Sequence, residues 1–152
     1  MPHAKDRIRP IAICIFSHDG CILVAEGVDP VKRERFYRPI GGAIEFGERG
    51  AETLIREIQE ELKAEISSLR YLGAVENIFT YNGQPGHEIV LVYDGAFVDL
   101  SLYDRSELEG LEHDGSTFKA VWKSIGQMQE EGVPVYPSGL AEMLAAAKDR
   151  SR

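Results

Sequence analysis

Apolar residues along the chain follow two periods, and the change between them places the elements. The stretch "IAICIFSHDGCILVAEG", residues 11–27, is apolar and β-branched and is broken at Asp19-Gly20. Asp-Gly favours a two-residue hairpin turn, so the stretch predicts strand, turn, strand. In that register Cys21 faces His18 and Cys14 faces Ala25. "VDPVKRE" is polar and reads as a loop. "RFYRPI" reads as a short strand that ends at Pro39. Four glycines in the next ten residues, "GGAIEFGERG", predict a sharply bent loop.

Past that loop the period becomes helical. Ala51, Leu54, Ile55, Ile58 and Leu62 form one apolar stripe. "YLGAVENIFTY" and "HEIVLVYDGAFVDL" predict two long strands joined by the turn-rich "NGQPG". "STFKAVWKSI" predicts a further strand and a short helix from about Ser124, with Trp122 in the core near the C-terminal helices. "PSGLAEMLAAAKDR" closes the chain as a helix, with Ser138 as N-cap and Leu140, Met143, Leu144 and Ala147 as its apolar face. Interleaved helices and hairpins imply an α+β fold around a mixed sheet. One domain spans residues 1–152, with disorder expected at most at the ends.

Composition narrows the function classes. The chain has 17 basic and 25 acidic residues, a formal charge of −8. That argues against a general grip on nucleic-acid backbone, although a bound metal could reverse the sign locally. The N-terminal "MPHAKDRIRP" has no long apolar core, and "IAICIF" is too short to span a bilayer. The expectation is a cytoplasmic protein with no membrane partner. Cys14 and Cys21 are offset by about 13 Å along the predicted hairpin, too far for a disulfide. Free thiols agree with a reducing compartment.

The helix also carries an unusual concentration of acid. At about 100° per residue, Glu57, Glu60 and Glu61 share an arc beside the apolar stripe, while Arg56, Gln59 and Lys63 fall opposite. Carboxylates three and four positions apart repel one another. A hard divalent ion, Mg²⁺ or Mn²⁺, would neutralise them. Glu57 and Glu61 could grip one ion, with a backbone carbonyl from the glycine-rich bend. Arg38 could contact a phosphate or make a surface ion pair. Phe36, Tyr37, Phe79 and Tyr81 could stack on a nucleobase or pack the sheet. His87 and Glu88 read as edge or turn residues, and His3, His18 and His113 lack metal-ligand spacing.

From Gly42 the order is five residues, Glu48, seven residues, then "REIQEE" from Arg56 to Glu61. This resembles the Nudix box of the Nudix hydrolases, G-x5-E-x7-R-E-U-x-E-E-x-G-U, where U is a bulky aliphatic. The match covers residues 42–64. Lys63 stands where the family has its second glycine, and Ala64 where it has a larger aliphatic. A non-glycine residue in the left-handed conformation there costs about 1 kcal/mol.

The resemblance implies an α/β/α sandwich that hydrolyses nucleoside diphosphate-linked or related pyrophosphate compounds, by attack of water on phosphorus. It assigns Glu57, Glu60, Glu61 and the Gly41 carbonyl to the metal. Arg56 orients the glutamates and Glu48 pairs with Arg56. The proton acceptor varies in the family. Among Glu107, Glu109, Glu112 and Asp114 we favour Glu112, which falls shortly before the "FKAVWK" strand. Arg38 and Tyr81 are the candidate substrate contacts. A homodimer is among the partners the family allows. Two other readings compete. A regulatory binding domain without turnover would usually have lost box glutamates, and an isomerase would want a cysteine in an active-site loop.

Overall fold

The strand "IAICIF" is apolar on both sides, and the fold is arranged to cover both. In the computed structural model, which describes residues 7–150, seven strands form the sheet. They are β1 (Ile8–His18), β2 (Cys21–Val28), β3 (Arg35–Ala43), β4 (Ile66–Tyr81), β5 (Gln84–Phe97), β6 (Glu107–Leu111) and β7 (Thr117–Lys123). Their spatial order is β4-β5-β1-β3-β2-β7-β6. β1 runs parallel to β5 and antiparallel to β3, so the sheet is mixed.

Successive side chains of a strand point to opposite faces. Ala12, Cys14 and Phe16 join a core with Leu54 and Ile58 of α1 (Gly50–Leu62). Ile11, Ile13 and Ile15 join a second core with Met128 of α2 (Ile125–Glu131) and Leu140 of α3 (Leu140–Arg150). Helices on both faces give the expected α/β/α sandwich. Residues 1–6, with His3 and most of the segment read as lacking a signal peptide, and residues 151–152 lie outside the described residues. Among the described residues no helix is long and apolar enough to cross a membrane.

Several local expectations are corrected. The Asp19-Gly20 turn pairs His18 with Cys21, as expected. Cys14, however, pairs with Ile40 and Tyr93, and Ala25 with Arg38 and Ala120. β1 and β2 splay past the turn and β3 enters between them. Both cysteines are free. β3 does not stop at Pro39, because Gly41 and Gly42 pair with Ile13 and Ala12. A Cβ at Gly41 would overlap the Ala12 backbone. These glycines permit close approach within the sheet and do not mark a loop.

The β4–β5 turn is Asn82-Gly83 alone, both with positive φ, and Gln84 already pairs with Tyr81. Part of "LEGLEHDGS" is strand, as Glu107–Leu111 pairs with β7. Ser124 caps α2 by accepting from the Gln127 N–H at 3.0 Å. Ser138 does not cap α3. Gly139, at φ 90°, precedes the helix, and its carbonyl accepts from the Met143 N–H. Trp122 packs with Tyr103 against the α1-side core, away from the C-terminal helices.

Candidate functional site

Helix α1 turns its acids inward. Thr53, Leu54, Glu57, Ile58 and Glu61 are buried, whereas Ile55 is 53% exposed. The buried stripe is therefore rotated toward the acidic arc relative to the apolar pattern. β3 makes room for this, since a Cβ at Gly42 would overlap the Glu57 carboxyl. The helix ends at Lys63, which adopts the left-handed conformation (φ 55°, ψ 39°) while its N–H donates to the Gln59 carbonyl. Lys63 thus takes up the strain that the missing glycine would have avoided.

One group of charges is fully knit. Arg56 Nε donates to Glu48 Oε2 at 2.8 Å and a terminal nitrogen to Glu48 Oε1 at 2.9 Å. The other terminal nitrogen donates to Glu57 Oε1 at 2.9 Å. Arg56 begins off the acidic arc, but its long side chain reaches back across it. Glu48 also accepts from the Thr53 hydroxyl and the Glu45 N–H. These donors, Arg56 foremost, hold the Glu48 carboxyl down at about 2. The same partners raise Arg56 well above its ordinary value.

A second group is not. Glu61 is 8% exposed and, among the described residues, accepts no hydrogen bond within the fold. Burial first, then Glu57, Glu112 and Glu60, push its carboxyl up to about 8. Glu57, 3% exposed, lies beside it, and His113 Nε2 sits 3.2 Å from Glu57 Oε2. Ligand atoms of Glu57, Glu60 and His113 all lie within 4.8 Å of one another. His113 was dismissed on spacing, yet the β6–β7 turn carries it to α1.

These groups line a cleft of about 400 Å³. Gly41 and Gly42 lie on its wall, with Arg38, Glu112 and the newly recognised Arg9 and Glu88. Glu107 and Glu109 lie on β6 instead, Glu107 within 3.9 Å of Lys119, and Asp114 is held by Ser116 in its turn. A second cleft of about 560 Å³ adjoins, and Phe36, Phe79, Tyr81 and Tyr136 line it. Tyr81 is therefore not at the acidic patch but in this neighbouring space. Tyr37 is fully buried, with its hydroxyl donating to Glu131 at 2.9 Å, so it is a core residue. Glu88 is not an edge residue. It is 2% exposed within β5, and Arg38 stands 3.6 Å from its carboxylate. The alternation Glu88, Val90, Val92 carried a signal, because a charge in line with buried apolar positions is unusual.

The donor set suits a divalent cation. Glu61 is a buried carboxyl without a counter-charge, Glu57 stands beside it, and carboxylate oxygens are the ligands Mg²⁺ and Mn²⁺ prefer.

Comparison with known proteins bears on this geometry. A sequence profile of the NUDIX domain matches residues 6–142. No curated protein matches in sequence. Among solved structures, a NUDIX hydrolase from Nitrosomonas europaea is similar with a TM-score of 0.67 at 16% identity, over 96% of this chain and 92% of that one. A UDP-X diphosphatase is similar with a TM-score of 0.66 at 15% identity, over 99% of this chain and 67% of that one. A MutT NUDIX hydrolase from Burkholderia pseudomallei gives a TM-score of 0.58 at 22% identity, over 80% of this chain and 87% of that one. At these identities the likeness is one of fold.

Proposed function

The chain belongs to the NUDIX domain family, and on that premise we propose that it is a divalent-metal-dependent hydrolase of nucleoside diphosphate-linked or related pyrophosphate compounds. The observation that carries this reading is Glu61, a buried carboxyl beside Glu57 with no cation of the protein's own against it. Glu57, Glu60 and Glu61, with the Gly41 carbonyl, would hold Mg²⁺ or Mn²⁺. When bound, such an ion supplies positive charge to the diphosphate oxygens and acidifies an attacking water.

The chain's own residues do the rest. Arg56, braced by Glu48, fixes the Glu57 carboxylate by a 2.9 Å hydrogen bond, so the ligand set is ordered before the ion arrives. Glu112 stands at the cleft on the β6–β7 turn, where it can accept the water's proton or act as an outer ligand. Arg38 faces the same cleft and can donate to phosphate oxygens. Tyr81, 44% exposed in the adjoining cleft, offers a face for a nucleobase. Two free cysteines support a reducing cytoplasmic setting.

The test is release of phosphate or nucleotide from nucleoside triphosphates, nucleotide sugars, ADP-ribose and dinucleoside polyphosphates, with Mg²⁺ or Mn²⁺, beside Glu61→Gln. Metal-dependent release that the variant loses supports the hydrolase. Metal binding with no release from any compound, or equal rates in both proteins, leaves a binding domain instead.

A further inference from the structure

The acidic and aromatic clefts meet at one seam. They share three lining residues, Arg9, Arg38 and Glu88. Three strands bring these residues together. Arg9 on β1 is in register with Glu88 on β5, and Arg38 comes from β3. Glu88 is the buried member at 2% exposure. One oxygen stands 3.6 Å from Arg38 and the other 3.9 Å from Arg9. Asn77, 3% exposed, donates to Glu88 Oε1 at 3.4 Å. The carboxylate thus tethers two guanidinium groups at the junction. Two cations against one anion leave a net positive charge at this seam, within a chain of formal charge −8.

Beyond the seam the lining turns aromatic. Phe36 stands edge-on to Tyr81 with ring centroids 6.1 Å apart, and its centroid lies 5.8 Å from that of Tyr136. Tyr81 is 44% exposed, so its ring is available to a ligand. Rings of this kind stack on any nucleobase, because every base has a π-face. A cleft of about 560 Å³ is within the usual range for small-molecule sites.

We infer that Arg9 and Arg38, tethered by Glu88, clamp the phosphate that carries a nucleoside, and that its base lies in the cleft of Phe36, Tyr81 and Tyr136. The inference rests on the proposed hydrolase reading, since the neighbouring phosphoryl group then lies among the acids of α1. It orders the substrate across the protein, with phosphoryl at the glutamates, the nucleoside-bearing phosphate at the seam and the base outermost. It also makes the ligand a nucleoside diphosphate unit, as inorganic pyrophosphate alone would leave the aromatic cleft unused. Glu88 is then a positioning residue that acts through the arginines.

Equilibrium binding in EDTA isolates this claim from turnover. ADP, GDP, CDP and UDP are titrated calorimetrically into the full chain, with inorganic pyrophosphate and the free nucleosides alongside. At least one diphosphate is expected to bind in the sub-millimolar range, with pyrophosphate and its own nucleoside at least about tenfold weaker. Arg9→Ala, Arg38→Ala and Tyr81→Ala should each weaken that diphosphate by about tenfold with the melting midpoint unchanged. Phe36→Leu, which keeps an apolar side chain against Gly27, is a milder check on the same cleft. Failure of all four diphosphates to bind, pyrophosphate binding as tightly as they do, or variants that bind like wild type would each overturn the inference. Diphosphate binding as expected, without metal-dependent release from any compound, would sustain the inference and remove the hydrolase reading. Release with a KM unaltered in Arg38→Ala would do the reverse.

Discussion

Glu48 and Glu61 carry the same carboxyl group and lie on either side of one arginine-bearing helix, yet their surroundings drive them apart. Glu48 accepts from Arg56, Thr53 and a backbone N–H, and its pKa falls to about 2. Glu61 is buried among Glu57, Glu60 and Glu112, and its pKa rises to about 8. The first carboxylate is satisfied by the fold. The second is left for something the fold does not contain. Environments that split like groups in this way assign them different roles. Here the division is between an anchor and a receptor for a cation.

The sharpest way to break this comparison is Glu61→Gln. If Glu61 is a receptor, its removal should lower metal-dependent turnover on the order of 10²–10³-fold. In EDTA the same variant should melt at or above the wild-type temperature at pH 8, because an uncompensated buried charge has gone. Steady-state rates and a melting curve decide both points. A variant that melts well below wild type would make Glu61 an anchor like Glu48.

Arg56→Gln tests the anchored side. It removes the donor shared by Glu48 and Glu57, leaving Glu57 buried with its remaining contact to the exposed His113. The melting midpoint should fall on the order of 5 °C or more, discounted for a cluster partly open to solvent. Turnover should also fall, since Glu57 loses its orientation, but by less than in Glu61→Gln. Equal melting of variant and wild type would mean that the ion pairs are ornamental for stability.

pH separates the two carboxyls without mutation. The folded chain keeps the Glu61 proton up to about pH 8, whereas the unfolded chain releases it near the ordinary value of 4.5. Between those values the folded state binds more protons, so metal-free stability should fall as pH rises from about 5 to about 8. Glu48 acts in the opposite sense. Its contribution is present above about 4.5 and is lost as pH falls toward 2. Melting curves in EDTA across pH 3 to 9 should show both limbs. Glu61→Gln should flatten the alkaline limb alone, and saturating Mg²⁺ should do the same in the wild type. An alkaline limb unchanged in the variant would place the destabilising charge elsewhere.

The sequence disclosed these acids because spacing along one helix is fixed by helix geometry, and Glu57 and Glu61 had to share a face. The turns at Asp19-Gly20 and Ser124 were legible for similar reasons, since local chemistry alone sets them. Contacts between distant segments were not. Arg56 lies off the acidic arc in projection, and only its side-chain length brings it back. Gly41 and Gly42 read as a loop because a glycine that admits a neighbouring strand looks like one that bends the chain. His113, Arg9 and Glu88 reach the clefts through sheet order, which no local pattern encodes. The roles of the site residues therefore rest on geometry and await the measurements above.

Lys63→Gly marks the small end of the scale. Lys63 holds φ 55° and ψ 39° at the helix exit, a conformation that glycine adopts without steric cost. Replacing it should relieve up to about 1 kcal/mol of strain, partly offset by the extra freedom of glycine in the unfolded chain. A rise of about 2–4 °C in melting midpoint is the upper bound for a chain of this size. Turnover should be unchanged. The Lys63 N–H to Gln59 bond belongs to the backbone and survives the substitution, so the helix should still end where Glu60 and Glu61 need it to. If Lys63→Gly instead lowers both stability and turnover, the lysine side chain supports the metal-binding end of α1. The distinction between anchored and unanchored charges would then have to include a cation one turn from Glu60.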